Sequence, residues 1–183
     1  MTAAQAYDKY YKKGSSARDI LERHSRSVAD LALEINDRRG LGLDRELVEE
    51  CALLHDIGIF MTDAPGIDCH GNEPYIRHGI LGADLLRQEG FREETARVAE
   101  RHTGAGITAH DIEELGLPLP SERILCPQTL LERLICYADK FYSKSGNMER
   151  KSLERVRQSM ARHSASTLER FEQLHAFFAP EEI

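Results

Sequence analysis

The chain lacks any long apolar run: no stretch approaches the ~18 apolar residues of a membrane span. Its first residues, "MTAAQAYDKYYKKGSS", carry no apolar h-region, so no signal peptide is expected. The four cysteines, Cys51, Cys69, Cys126 and Cys136, form no C-x-x-C pair. They read as reduced thiols of an intracellular protein, and a cytoplasmic location is expected. Positive charge is also scarce: 24 basic residues stand against 31 acidic ones, a net charge of -7. That balance argues against a nucleic-acid polymer or a membrane surface as partner. It leaves room for a small anionic substrate, because a bound metal ion is itself a large local charge. Strand signals are few, with no sustained period-2 alternation. There is no internal repeat, no low-complexity tract and no linker.

The 183 residues, 41% apolar and 30% charged, suit one globular domain with its own core. The helical signal is good. Leu21, Val28, Leu31, Ala32 and Ile35 recur at spacings of three and four, which marks one apolar helix face. Ser15 or Ser16 suits its start, and Gly40 or Gly42 its end. A second helix is predicted over Asp44–Ile57, a third over Tyr75–Glu89 and a fourth over Glu93–His102. A short one follows over Thr108–Leu115. Another opens at Thr129, and a last, interruptible one spans Met148–Phe178. Residues 60–74, with two Pro and two Gly, read as a surface loop long enough to act as a lid or rim. With the 104–128 segment it is the expected pocket wall. The fold class is all-α. The domain reading is a single unit over 1–183, with a core at about 18–145 and a C-terminal helical extension over 146–183.

Several of these helices place a polar residue where a core side chain belongs. His24 shares a face with Val28 and Leu31. His55 follows Cys51 by four residues, His102 follows Val98 by four, and Asp139 follows Ile135 by four. His78 opens its helix beside Ile80 and Leu81. Taken singly, each has an ordinary explanation as a hydrogen-bonded core residue. Taken together, four His and two Asp, counting Asp56, would need several independent explanations, because buried carboxylates are rare unless paired or metal-bound. A shared metal site needs one. Imidazole and carboxylate suit divalent Zn, Fe, Mn or Ni. Spacings of 23 residues from His55 to His78 and 24 from there to His102 require convergence through the tertiary fold. Six ligands exceed what one ion with open positions keeps. They fit two ions with Asp56 bridging, an arrangement that can clamp a phosphoryl group and activate water.

His24, then His55-Asp56 within "ALLHDIG", then Asp139 within "YADK", on an all-α chain, resembles the HD superfamily of metal-dependent phosphohydrolases. The likeness runs from about His24 to Tyr142. His78 in "IRHGILGADLL" and His102 in "AERHTG" add the two histidines of dinuclear members. The chain looks like the small stand-alone members, including bacterial hydrolases of symmetric dinucleoside tetraphosphates. The resemblance implies a single HD-domain helical bundle. It implies that His24, His55, Asp56 and Asp139 hold a first metal, and that His78 and His102 hold a second bridged by Asp56. One or two divalent ions are expected, among Fe, Mn, Mg, Ni and Zn. The implied activity is hydrolysis of a nucleotide or another small phosphate ester by a metal-activated water. A mixed-valent diiron oxygenase of the same fold and a non-catalytic nucleotide-binding module stay as alternatives. The implied partner is a small phosphorylated substrate.

One departure concerns the phosphate. Many dinuclear members read H-D-x-G-K, and this chain has Ile59 at the Lys position. Lys140, Arg77 and Arg101 are the candidate replacement cations, with Lys140 and Arg77 placed beside Asp56 as candidate catalytic residues. Cys69, His70, His110, His163 and His175 are taken as non-ligands.

Overall fold

A computed structural model describes residues 1–146 and 148–179; the end of the C-terminal extension, 180–183, lies outside the described residues. The helices are α1 (Ala3–Tyr10), α2 (Ser16–Arg39), α3 (Arg45–Leu54), α4 (His78–Gln88), α5 (Glu93–Arg101), α6 (Ala109–Leu115), α7 (Leu130–Asp139), α8 (Leu153–His163) and α9 (Ala165–Phe178). The architecture is all-α. Among the described residues the only sheet is a two-stranded antiparallel one, β1 (Asp63–Ala64) with β2 (Cys69–His70). No described helix is long and apolar enough to cross a membrane.

Local chemistry sets most of the ends. The Ser15 side chain accepts from Arg18 N–H at the start of α2, and Gly40 closes it in the left-handed conformation at φ 60°. Asp44 caps α3, and Thr108 and Thr129 form capping boxes with Asp111 and Glu132. The C-terminal helix, read as interruptible over Met148–Phe178, starts later, at Leu153, and is interrupted into two helices. Ser164 breaks it in extended backbone, and its side chain caps α9 by accepting from Thr167 N–H.

Three elements differ from the expectation. Helix α3 stops at Leu54, and the chain tightens into a 3-10 turn over Ile57–Met61. Gly58 in that turn lies so close to α4 that a Cβ would come within 2.4 Å of the His78 carbonyl. A regular helix carrying side chains could not pass there. The 60–74 segment is also less exposed than its composition suggests, since it turns Thr62, Ile67 and Cys69 inward. The third difference is α1, which the sequence reading left unassigned. Its capping box joins Thr2 and Gln5, and Ala6 and Tyr7 are buried. Tyr7 donates its hydroxyl to the Leu53 carbonyl, and Tyr11 donates to the Ile57 carbonyl at 2.8 Å. These carbonyls flank His55-Asp56 and belong to the frayed end of a helix, where partners are otherwise lacking.

The main core joins α2, α3, α5, α7, α8 and α9 through Val28, Val48, Val98, Leu134, Val156 and Phe171. Tyr137 stacks on Phe171 and Phe178, with centroids 5.8 and 5.5 Å apart. The C-terminal helices are therefore part of the packed interior. A second cluster gathers α1, the start of α2 and the 57–69 segment around Leu21, Leu54, Ile57 and Ile59.

Candidate metal centre

Five elements bring His24, His55, Asp56, His78, His102 and Asp139 together, and all six are buried. Only His24 sits in mid-helix. His55 and His102 are the C-cap residues of α3 and α5, His78 is the first residue of α4, and Asp139 is the last of α7. Close backbone crossings bring these ends within reach. Gly58 rests on the His78 carbonyl, and Gly79 rests on α5, where a Cβ would lie 2.7 Å from the Ala99 carbonyl.

The six side chains form two groups that share Asp56. In the first, His24 Nε2 lies 3.2 Å and His55 Nε2 3.0 Å from Asp56 Oδ2. Asp139 Oδ1 completes it at 2.9 Å from His24 and 3.4 Å from His55. In the second, His78 and His102 each place Nε2 at 3.3 Å from Asp56 Oδ1, and these nitrogens are 3.0 Å apart. Ligand atoms about 2.1 Å from one ion stand roughly 3.0–3.4 Å from one another in tetrahedral or octahedral sites. The observed separations match that spacing.

The ring tautomers point the same way. Nδ1 of His55, His78 and His102 each meets the carbonyl three residues earlier: Ala52 at 2.6 Å, Tyr75 at 2.7 Å and Ala99 at 2.8 Å. Nδ1–H donates there, which turns the Nε2 lone pair to the centre. His24 has no such partner, and its Nδ1 is buried unpaired. Asp56 Oδ1 is buried with only imidazole nitrogens beside it, while Oδ2 also meets the Lys144 ammonium at 2.6 Å. Imidazole lone pairs turned toward a shared buried carboxylate are a donor set that suits a divalent cation, and one ammonium on Oδ2 leaves the Oδ1 side without a positive partner. The residues fit a divalent metal.

The charges of the site are mutually dependent. Burial pushes the His55 imidazolium down, but Asp56 and Asp139 more than offset it and lift its pKa to about 9. Burial raises Asp56, and His55 and Lys144 hold it well below the usual carboxylate range. His102, farther from compensating carboxylates, falls to about 4 because burial dominates.

The candidate cations separate. Lys140 is buried, with Nζ 2.7 Å from Asp139 Oδ2 and donating to the His102 carbonyl at 3.0 Å. Arg77 pairs with Glu73 at 3.1 Å, and Arg101 pairs with Glu132 at 3.0 Å. Lys144 was not among the sequence candidates. Its Nζ lies 2.6 Å from Asp56 Oδ2. It sits in irregular chain between α7 and α8, where no periodicity signals an inward side chain.

A cavity of ≈ 310 Å³ opens beside His78, His102 and Asp139. Lys140 and Lys144 lie on its wall, as do Tyr75, Ile107, Leu117 and His163. Tyr75 and Leu115 expose apolar surface at the lining, 37% and 48% accessible. The 104–117 stretch forms a wall as expected. The 60–74 segment does not, because its apolar residues face the second core cluster; α8 and α9 take its place through His163 and Thr167.

The HD domain family matches residues 21–143. The chain belongs to the HD domain family. Among curated relatives it is 33% identical over 163 residues to a tRNA (cytidine(56)-2'-O)-methyltransferase of Picrophilus torridus, covering 89% of this chain and 42% of that protein. It is 46% identical over 110 residues to an uncharacterised protein of Methanocaldococcus jannaschii, covering 60% of this chain and 56% of the other. The chain thus spans about half the length of these relatives. Its fold is similar to the HD domain of the L. monocytogenes phosphodiesterase PgpH, with a TM-score of 0.57 at 14% identity over 96% of both chains. The same domain in complex with cyclic-di-AMP gives 0.55.

Proposed function

We propose that the protein is a metal-dependent phosphohydrolase acting on a nucleotide or another small phosphate ester. One observation carries this reading: Asp56 turns one oxygen to each of two ligand groups beside a cavity walled by two lysines. In the proposed assignment His24, His55, Asp56 and Asp139 hold one ion, and Asp56, His78 and His102 the other. Bound there, a pair of divalent ions would supply Lewis acidity toward phosphoryl oxygens and an activated water.

The chain's own residues supply orientation and charge. The carbonyls of Ala52, Tyr75 and Ala99 hold three imidazoles in the ligand tautomer. Lys140 fixes Asp139 and adds positive charge at the wall, and Arg77, between Ile76 and His78 of the lining, adds a charge partly offset by Glu73. Tyr75, Ile107 and Leu117 offer flat and apolar surface that suits a nucleobase. The cavity volume lies at the low end of small-ligand sites, which favours a substrate of mononucleotide size. The cyclic-di-AMP complex of the similar PgpH domain agrees with a nucleotide as ligand class. We assign the site to the 18–145 core, with His163 and Thr167 of the C-terminal helices closing one wall.

The test is element analysis of the purified protein, followed by a phosphate-release screen over nucleotides with the metal found. Metal-dependent release of phosphate is expected. Two irons per chain with a paramagnetic signal in the half-reduced state, and no phosphate release, would replace the proposal with the oxygenase reading.

A further inference from the structure

We infer that Lys144 is the residue that meets the substrate phosphate, in place of the lysine that position 59 does not provide. The inference rests on the phosphohydrolase reading above and adds a residue to it.

Position 59 has no cation to give. Ile59 is fully buried in the second core cluster, packed with α1 and the start of α2. The other nearby cations are fixed by partners or lie off the cavity wall. Lys140 is held at two points, by Asp139 and by the His102 carbonyl. Arg77 pairs at the surface with Glu73, Arg101 is held by Glu132 and by the Ile124 carbonyl at 3.1 Å, and neither arginine lines the cavity.

Lys144 differs in what holds it. Its side chain is 14% exposed, and its ammonium rests on Asp56 Oδ2 with the Tyr75 ring centroid 6.0 Å away. That oxygen is the one the first ligand group needs. A divalent ion held by Asp56 would compete with the ammonium for that oxygen and would repel it. The lysine has a flexible four-carbon stem and is anchored in irregular chain, so the ammonium can move while the backbone stays. The open space next to it is the cavity it already lines. There it stands between the ligand groups and the apolar wall, where the anionic oxygens of a phosphoryl group on its ester would lie. Lysine serves such groups as a point charge and needs no bidentate geometry.

The experiment uses the full chain loaded with its own metal and inorganic phosphate as the probe. Metal content is measured by element analysis and phosphate affinity by calorimetry, for wild type, Lys144→Met and Lys144→Arg. The expected result is unchanged metal content in both variants. Phosphate binding should weaken about 10-fold to 100-fold in Lys144→Met, the effect of one charge-assisted hydrogen bond, and recover most of that in Lys144→Arg. Loss of metal from Lys144→Met would overturn the inference, since the lysine would then be a structural partner of Asp56. Phosphate binding equal to wild type at full metal content would overturn it as well. If the wild-type protein itself binds no phosphate, the phosphohydrolase reading fails, and the two failures stay distinct.

Discussion

Replacing Asp56 with alanine removes the only carboxylate shared by the two ligand groups. Its cost has two parts. Asp56 is fully buried and lies within 3.3 Å of four imidazole nitrogens and 2.6 Å of Lys144. Removing one partner of a buried charge pair costs about 3–5 kcal/mol. The lower end applies here, since His55 can lose its proton and Lys144 can swing to the cavity. For a chain of this size about 3 kcal/mol corresponds to a fall of roughly 6–12 °C in Tm. Thermal unfolding of both proteins in chelator measures this part. The second part is metal stoichiometry. Without Asp56 the second group keeps only His78 and His102, fewer than the three protein ligands of an ordinary catalytic site. The first group keeps His24, His55 and Asp139 with one negative charge fewer. Element analysis after dialysis against metal should show the second ion gone, the first strongly weakened, and hydrolysis abolished. Two ions per chain in Asp56→Ala would refute the bridging assignment.

Three further changes probe separate parts of the structure. His102→Ala should lower metal content by one ion per chain and leave the first group loaded; unchanged content would make His102 a core histidine and nothing more. Gly58→Ala places a Cβ 2.4 Å from the His78 carbonyl, which is backbone and cannot give way, so a stability loss of about 3 kcal/mol or more by urea unfolding should accompany loss of the second ion; a near-neutral result would mean the crossing is looser than described. Asp111→Asn removes the ion pair of Asp111 with Arg170, 2.7 Å apart, and should cost about 1.5–3 kcal/mol at neutral pH. Burial raises the Asp111 carboxyl, but the Thr108 backbone N–H and hydroxyl and Arg170 outweigh it and hold the pKa below the ordinary 3.8. Its stabilising contribution is therefore present above about pH 4 and lost as pH falls through the depressed value, so the gap between wild type and variant should close in acid; a gap that persists or widens would contradict that sign.

The six buried His and Asp residues were readable because they stood among apolar residues at helical spacing, and 3.6-residue periodicity exposes that anomaly; their role as metal ligands is the proposal. His24 among Leu21, Val28 and Leu31 is the clearest case. The capping residues Ser15, Asp44, Thr108 and Thr129 were readable for a similar reason, since their side chains act within three residues. What escaped has longer range. The early end of α3 depends on Gly58 meeting α4, a contact across more than twenty residues. Tyr7 and Tyr11 look like ordinary aromatics until their hydroxyls are seen to serve carbonyls 46 residues away. Lys144 lies in irregular chain, where a lysine reads as solvent-facing. His163 of α8 and Thr167 of α9 reach the cavity only because α9 packs on α7 and α8 packs on α9, and amphipathic patterning does not say which neighbour a helix chooses.

The crossings at Gly58 and Gly79 divide the labour of the sequence. Main-chain atoms in contact set the interval between the two ligand groups, and such contact compresses very little. That interval is written in side chains that are missing, and substitution there disturbs the proposed metal geometry itself. The cavity walls, by contrast, are written in side chains that are present, drawn from α6, the segment before α4 and the last two helices. Selection can therefore exchange Tyr75, Leu117, His163 or Thr167 to suit another ligand while the spacing of the two side-chain groups stays fixed.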